Sequence, residues 1–112
     1  MGPNRTLGSF ESMLLLAILR LNDQAYGVTI RHELHVRAKK DVTIGAIYTC
    51  LERLEKKGFV ESWLGEPTSA RGGRAKRYYR VTAKGLKTLN VTYSALKGLM
   101  VGLNLAGGNL NG

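Results

Sequence analysis

Residues 43–57 read TIGAIYTCLERLEKK and are followed by Gly58 and Phe59. Successive residues turn about 100° around a helix, which puts Ile44, Ile47, Leu51 and Leu54 on one face. Gly45, Ala46, Thr49 and Arg53 fall on the opposite face, with Tyr48 on the flank. Thr43 has the side chain of a helix N-cap, and Gly58 stands where a left-handed C-terminal residue is needed. The stretch therefore predicts a helix with an apolar back and a slim front that is uncharged at its leading end. Such a front fits a deep surface such as the major groove of DNA. An ordinary amphipathic core helix has the same pattern, so the flanking segments decide between the two.

Upstream, the spacing predicts a helix from Phe10 to about Leu21 that is apolar at every position from Met13 to Leu19. A helix of that kind needs cover on more than one side. In so short a chain a second subunit is expected to supply it, with Leu14 and Ile18 at the contact. Asn22-Asp23 ends this helix. Ala25-Tyr26-Gly27 opens another, reaching about Ala38 with Ile30, Leu34 and Ala38 inward. After a polar turn over Arg37–Asp41 comes the helix from Thr43, so the pair is a helix-turn-helix candidate.

Downstream, the period changes. Phe59–Leu64 and Lys76–Val81 read as strands, with Tyr78 and Tyr79 on opposite faces, around a turn-like segment from Glu66 to Ala75. The resulting hairpin has the tip RGGR, residues 71–74. Arg71, Arg74, Lys76, Arg77, Arg80 and Lys84 read as unopposed cations whose mutual repulsion a phosphate backbone relieves. Gly72 and Gly73 allow a tight turn and keep the tip thin enough for a minor groove. A solvated hairpin carries such a charge run too. Thr82 then caps a last helix, predicted over residues 83–105. Leu86, Leu89, Tyr93, Leu96, Met100 and Leu103 recur at spacings of three and four, an a/d seam that packs on another helix. That helix is a second subunit's or the chain's own first helix. Residues 1–9 read as a flexible basic arm and 106–112 as a disordered tail.

The 112 residues, 44% of them hydrophobic, predict one domain with a modest core. The net charge is +9. Residues 1–66 hold nine Lys/Arg against eight Asp/Glu, whereas 67–112 hold eight Lys/Arg and no acid. Such a chain expects a polyanion, nucleic acid first and an anionic membrane second. A single cysteine, Cys50, excludes an intramolecular disulfide and reads as a partly buried thiol. His32 and His35 are three apart, with no carboxylate or thiol fitted to complete a metal site. No metal or cofactor is expected. No run of 18 apolar residues and no leader pattern occur, so a cytoplasmic protein with no membrane partner is expected. Paired carboxylates, a Ser/His/Asp set and a phosphate loop are all missing, which argues against an enzyme.

Three helices, two strands with a basic tip and a long helix follow the order of a winged helix-turn-helix. The chain resembles the PadR family of bacterial transcriptional regulators in LLLAILRLNDQAYGVTI, IGAIYTCLERLEKKGFVES and RGGRAKRYYRVTAKGL, covering roughly residues 10–89. AYG, the YxxLxRLExxG pattern from Tyr48 to Gly58 and GGRxKRYYRxT from Gly72 to Thr82 are specific in combination. The length is similar to the short branch of the family, with a single C-terminal helix. The resemblance implies a mostly helical α+β fold, with a DNA-binding domain over residues 10–82 and a dimerisation helix over 83–105. It implies a homodimer on double-stranded DNA at a palindromic operator, usually repressing, with small aromatic or drug-like effectors near the dimer interface. The helix from Thr43 would enter the major groove and the hairpin would be the wing.

On that reading Ala46 and the Thr49 methyl meet thymine methyls, Gly45 allows close approach, and Thr43 with the helix N-terminus meets a phosphate. Tyr48 suits core packing and a hydroxyl-to-phosphate bond equally. Arg53 reaches the DNA backbone or pairs with a neighbouring glutamate. Arg71, Arg74, Lys76 and Arg77 supply wing electrostatics, with Gly72 and Gly73 at the tip. Dimerisation falls to Leu14, Ile18, Leu86, Leu89, Tyr93, Leu96, Met100 and Leu103. The alternative is a winged-helix module that binds protein or an anionic surface without reading DNA sequence.

Overall fold

Side-chain caps set where the helices of this chain begin. In the computed structural model, which describes residues 7–66 and 75–105, α1 spans Ser9–Leu21, α2 Gly27–Ala38, α3 Ile44–Lys56 and α4 Ala83–Met100. The Glu11 carboxylate accepts the Gly8 N–H at 3.0 Å ahead of α1, and Thr29 Oγ1 accepts the Tyr26 N–H at 3.0 Å ahead of α2. Thr43 and Thr82 cap α3 and α4 by accepting the N–H groups of Ala46 and Gly85, each at 3.0 Å. Each cap satisfies a donor the helix itself leaves unpaired. At the far end of α3, Gly58 takes φ +82, and the Phe59 N–H returns to the Leu54 carbonyl at 2.9 Å.

Strands β1 (Val60–Leu64) and β2 (Arg77–Val81) pair antiparallel, with Trp63 opposite Tyr78 and Glu61 opposite Arg80. The Tyr79 N–H also bonds the Ala25 carbonyl at 2.9 Å, which ties the other edge of β2 to the start of α2. As the alternation predicts, Tyr79 is buried and Tyr78 is not. The core is built from Leu14, Leu15 and Ile18 of α1, Ile30 and Leu34 of α2, and Ile47, Leu51 and Leu54 of α3. Full burial of each such side chain stabilises by about 1.5–3 kcal/mol.

Two expectations change here. Leu14 and Ile18 are 0% and 2% exposed within the single chain. They are core residues rather than dimer contacts, and the exposed apolar positions of α1 are Leu16 and Leu19. Seven consecutive apolar residues gave no face, and packing against α2 and α3 chose one. The last helix also ends at Met100 rather than near residue 105, and Gly102 beyond it has φ +85. Leu103 therefore lies outside the helix.

The C-terminal helix divides lengthwise. Gly85, Thr88, Leu89 and Thr92 face the chain's own core and are buried, so Leu89 is not a free seam position. A Cβ at Gly85 would lie 2.2 Å from the Phe59 carbonyl oxygen, so only glycine permits this approach of α4 to the start of β1. The buried hydroxyls are satisfied. Thr88 donates to the Lys84 carbonyl at 2.9 Å and Thr92 to that of Thr88 at 3.0 Å, while Thr92 Oγ1 accepts the Leu7 N–H at 2.8 Å. Leu96, Leu99 and Met100 continue the same side of the helix, at positions i+4, i+7 and i+8 from Thr92, and are exposed.

Lys57 at the end of α3 bonds Glu11 at 3.0 Å and joins the third helix to the first. Burial pushes the Glu11 carboxyl up, but the Gly8 N–H and the Lys57 and Arg53 cations outweigh it and hold it below its ordinary value of 4.5. A depressed carboxylate contributes stability above its unfolded value and loses it as pH falls through the folded one. Unfolding followed between pH 6 and pH 3 should thus show an acid-sensitive component that Glu11→Gln removes. Equal acid sensitivity in the two chains would show that the pair contributes nothing.

Candidate nucleic-acid interface

Ile47, Cys50, Leu51 and Leu54 bury the back of α3. Thr43, Gly45, Ala46, Tyr48, Thr49, Glu52 and Arg53 remain exposed. The front is small and uncharged over its first two turns, with Glu52 and Arg53 beyond them. A Cβ at Gly45 would find only Thr43 Oγ1, 3.9 Å away. The helix accepts a residue costing about 1 kcal/mol relative to alanine with no packing reason inside the chain. Thr49 Oγ1 donates to the Gly45 carbonyl at 2.9 Å, which fixes the hydroxyl against its own helix. Arg53 forms no ion pair among the described residues.

Of the two readings left open for Tyr48, the structure bears out the packing one. Its ring end lies against Gly27 at the start of α2, where a Cβ would come within 2.3 Å of the hydroxyl oxygen, yet the residue is 41% exposed. The glycine of the AYG run thus has its packing reason on the next helix, far along the chain from its own neighbours. Burial raises the Cys50 thiol above its ordinary range. It is a neutral packing group at physiological pH rather than a reactive thiolate.

The hairpin is anchored to the C-terminal end of α3. Ser62 Oγ donates to Glu55 at 2.8 Å and accepts from Arg77 at 3.0 Å, so the Arg77 guanidinium is held beside the recognition-type helix. Lys76 lies over the Tyr26 ring at 4.9 Å. The cationic run is less unopposed than its composition implies. Arg80 donates to Glu61, directly across the strand pair, at 2.7 Å and covers the Trp63 ring at 5.3 Å. Lys84 donates to the Lys57 carbonyl at 2.9 Å. Lys76 and Arg77 form no ion pair among the described residues. Arg71, Gly72, Gly73 and Arg74 lie outside those residues, as do 1–6 of the expected arm and the tail at 106–112.

The sequence model of the transcriptional regulator PadR-like family matches residues 15–91, from within α1 into α4. The chain belongs to the PadR-like family. A protein of Lysinibacillus sphaericus is 34% identical over 80 residues, covering 70% of this chain and 69% of the relative. A PadR-like transcriptional regulator from Bacillus cereus superposes with a TM-score of 0.68 at 26% identity, over 85% of this chain and 87% of that one. A PadR family transcription regulator from Clostridium difficile gives 0.66 at 26% identity, over 82% and 95%. This PadR-like chain is accordingly a DNA-binding transcriptional regulator and belongs to a family of regulators, not of enzymes.

The PadR-like fold also brings His32 and His35 together with residues to which the sequence assigns no role. Val28, Arg31, His32 and His35 of α2 and Lys40 and Asp41 of the following turn line a cleft of about 360 Å³ just before the Thr43 cap. His35 Nδ1 bonds Asp41 at 2.6 Å, and no group of three metal-ligating side chains occurs among the described residues. The near-balance of charge over residues 1–66 conceals these cations. Helical spacing of Arg31 and His35, four apart, was the available signal.

Proposed function

We propose that this regulator binds a palindromic operator as a cytoplasmic homodimer, represses transcription there, and is released by a small aromatic effector. Among the described residues no helix is long and apolar enough to cross a membrane. Thr43, Gly45, Ala46, Tyr48, Thr49 and Arg53 would meet the major groove, with wing residues 71–74, Lys76 and Arg77 on the flanking backbone. The observation carrying this reading is the exposed leading face of α3, small and uncharged, with open space at Gly45. Apolar contacts to thymine methyls and close backbone approach need such a face.

Gly45→Ala tests it because stability and binding should move in opposite directions. The substitution should stabilise the fold by about 0.5–1 kcal/mol and weaken binding to a genomic fragment the wild type selects. A stabilised variant with unchanged DNA affinity would contradict groove contact at this face. Retention on DNA and not on anionic vesicles supports the same reading; equal retention on both favours the surface-binding alternative. Replacing Lys76 and Arg77 by Ala should lower the slope of log affinity against log salt by about two. An unchanged slope would remove the hairpin from the interface.

The exposed stripe of Leu86, Tyr93, Leu96 and Met100 is the proposed dimer surface, with Leu16 and Leu19 of α1 taking the place of Leu14 and Ile18. For the effector, Leu19, Trp63, Arg80 and Val81 line a cleft of about 330 Å³ between the end of α1 and the sheet, within the range of small-molecule sites. Trp63 is the chain's single tryptophan. A planar effector stacking there should change its fluorescence and lower DNA affinity together. Release from DNA with no change in that emission would put the effector elsewhere.

A further inference from the structure

We infer that Tyr26 and Tyr78 are positioning residues that couple the Trp63 cleft to α3 and to the hairpin, so that DNA bound at one side and a ligand bound in the cleft act on each other. The inference rests on the proposed roles of α3, the hairpin and that cleft. Its basis is a continuous row of aromatic rings. Trp63 stacks on Tyr78, directly across the strand pair, with centroids 6.0 Å apart and planes at 20°. Tyr78 meets Tyr26 edge to face, at 5.4 Å and 71°. Both separations fall within the range of direct ring contact, about 4.5–7 Å. At one end of the row Trp63 lines the cleft. At the other end the Lys76 ammonium sits over the Tyr26 ring at 4.9 Å. The residue after Tyr26 is Gly27, whose lack of a side chain leaves room for the Tyr48 ring end from α3. A cation of the hairpin and a side chain of α3 therefore rest on two consecutive residues.

The backbone holds the row in place. Tyr26 and Tyr78 form a β-bridge, and the Tyr79 N–H bonds the Ala25 carbonyl at 2.9 Å beside it. The Gly65 N–H bonds the Lys76 carbonyl at 2.8 Å. A Cβ at Gly65 would lie 2.5 Å from Tyr78 Cε1, so glycine there lets the ring settle against the end of β1. Close-packed side chains transmit a displacement rather than absorb it. Coupling of this kind is reciprocal. If a ligand in the cleft weakens DNA binding through the row, DNA binding must perturb the cleft by the same free energy. The cleft end can therefore be read with DNA alone as the probe.

The experiment uses the full chain and a genomic fragment the wild type selects. Occupancy is followed by the anisotropy of a tagged copy of the fragment, and the cleft by the emission of Trp63, the single tryptophan. Wild-type emission should change in step with occupancy. Tyr78→Leu should bind severalfold more weakly and lose most of the emission change at saturation. Tyr78→Phe keeps the ring and should keep the change. Gly65→Ala displaces the Tyr78 ring without removing it and should also lose the change, which supplies the test if thermal unfolding shows the leucine variant to be unfolded. A wild type that binds with no change at Trp63 would overturn the coupling alone. So would a change that persists in Tyr78→Leu and Gly65→Ala, since the indole would then sense DNA without the row, or one that is lost in Tyr78→Phe. A wild type that selects no fragment would overturn the proposed function with it.

Discussion

Leu96→Asp is expected to yield folded monomers whose affinity for an operator is lower by on the order of a hundredfold or more. Leu96 is 55% exposed in the single chain, so the protomer has little to lose from the change. It extends the α4 face whose first half, Gly85 to Thr92, already covers the chain's own core. Where that core ends, Leu96, Leu99 and Met100 continue the stripe with no cover. In the proposed dimer a second copy placed there would bring two α3 helices onto one duplex. Linking two binding modules raises avidity by about 10²–10⁴ without any new DNA contact, and that gain is what the charge removes. Light scattering reports the mass and a titration the affinity. Dimers that persist at micromolar concentration would assign the stripe another role.

Gly85→Ala is expected to be the most damaging small substitution in the molecule. Its Cβ would sit 2.2 Å from the Phe59 oxygen and about 3.0 Å from the Phe59 carbonyl carbon. Both are backbone atoms, so α4 must retreat from β1, loosening Leu89, Thr88 and Thr92. Overpacking of this kind costs about 1–3 kcal/mol, and near its upper end for a backbone clash. The better helix propensity of alanine returns about 1 kcal/mol. A net loss of about 2 kcal/mol lowers Tm by roughly 8–16 °C in a domain of this size. Gly98→Ala is the control, because nothing lies within 4 Å of its Cβ. It should stabilise by a few tenths to 1 kcal/mol. If both glycines respond alike to alanine, the close docking of α4 is not as described.

The local signals were legible in the sequence. Thr43, Thr82 and Gly58 announce helix ends through chemistry that needs no tertiary partner, and each does so in the structure. The apolar period of α3 similarly separates its buried back from its front. What the sequence withheld depends on contacts across the chain. Arg80 is neutralised because strand register sets Glu61 opposite it, and no composition count reveals register. Leu14 and Leu16 look alike in an unbroken apolar run, and the packing of α2 and α3 against α1 distinguishes them. Leu89 and Leu96 share one heptad seam, but the first sits where the domain still has a core to cover and the second where it has ended. The Gly27–Tyr48 contact joins two motifs that read as separate, although each constrains the other.

The most direct test is methylation interference on a genomic fragment selected by the wild-type chain. Two patches of major-groove interference are expected on one side of the duplex, centred one helical turn or a multiple of it apart, about 34 Å for a single turn. Interference confined to the minor groove, or a single patch unaffected by substitution on the leading face of α3, would contradict paired insertion of that helix.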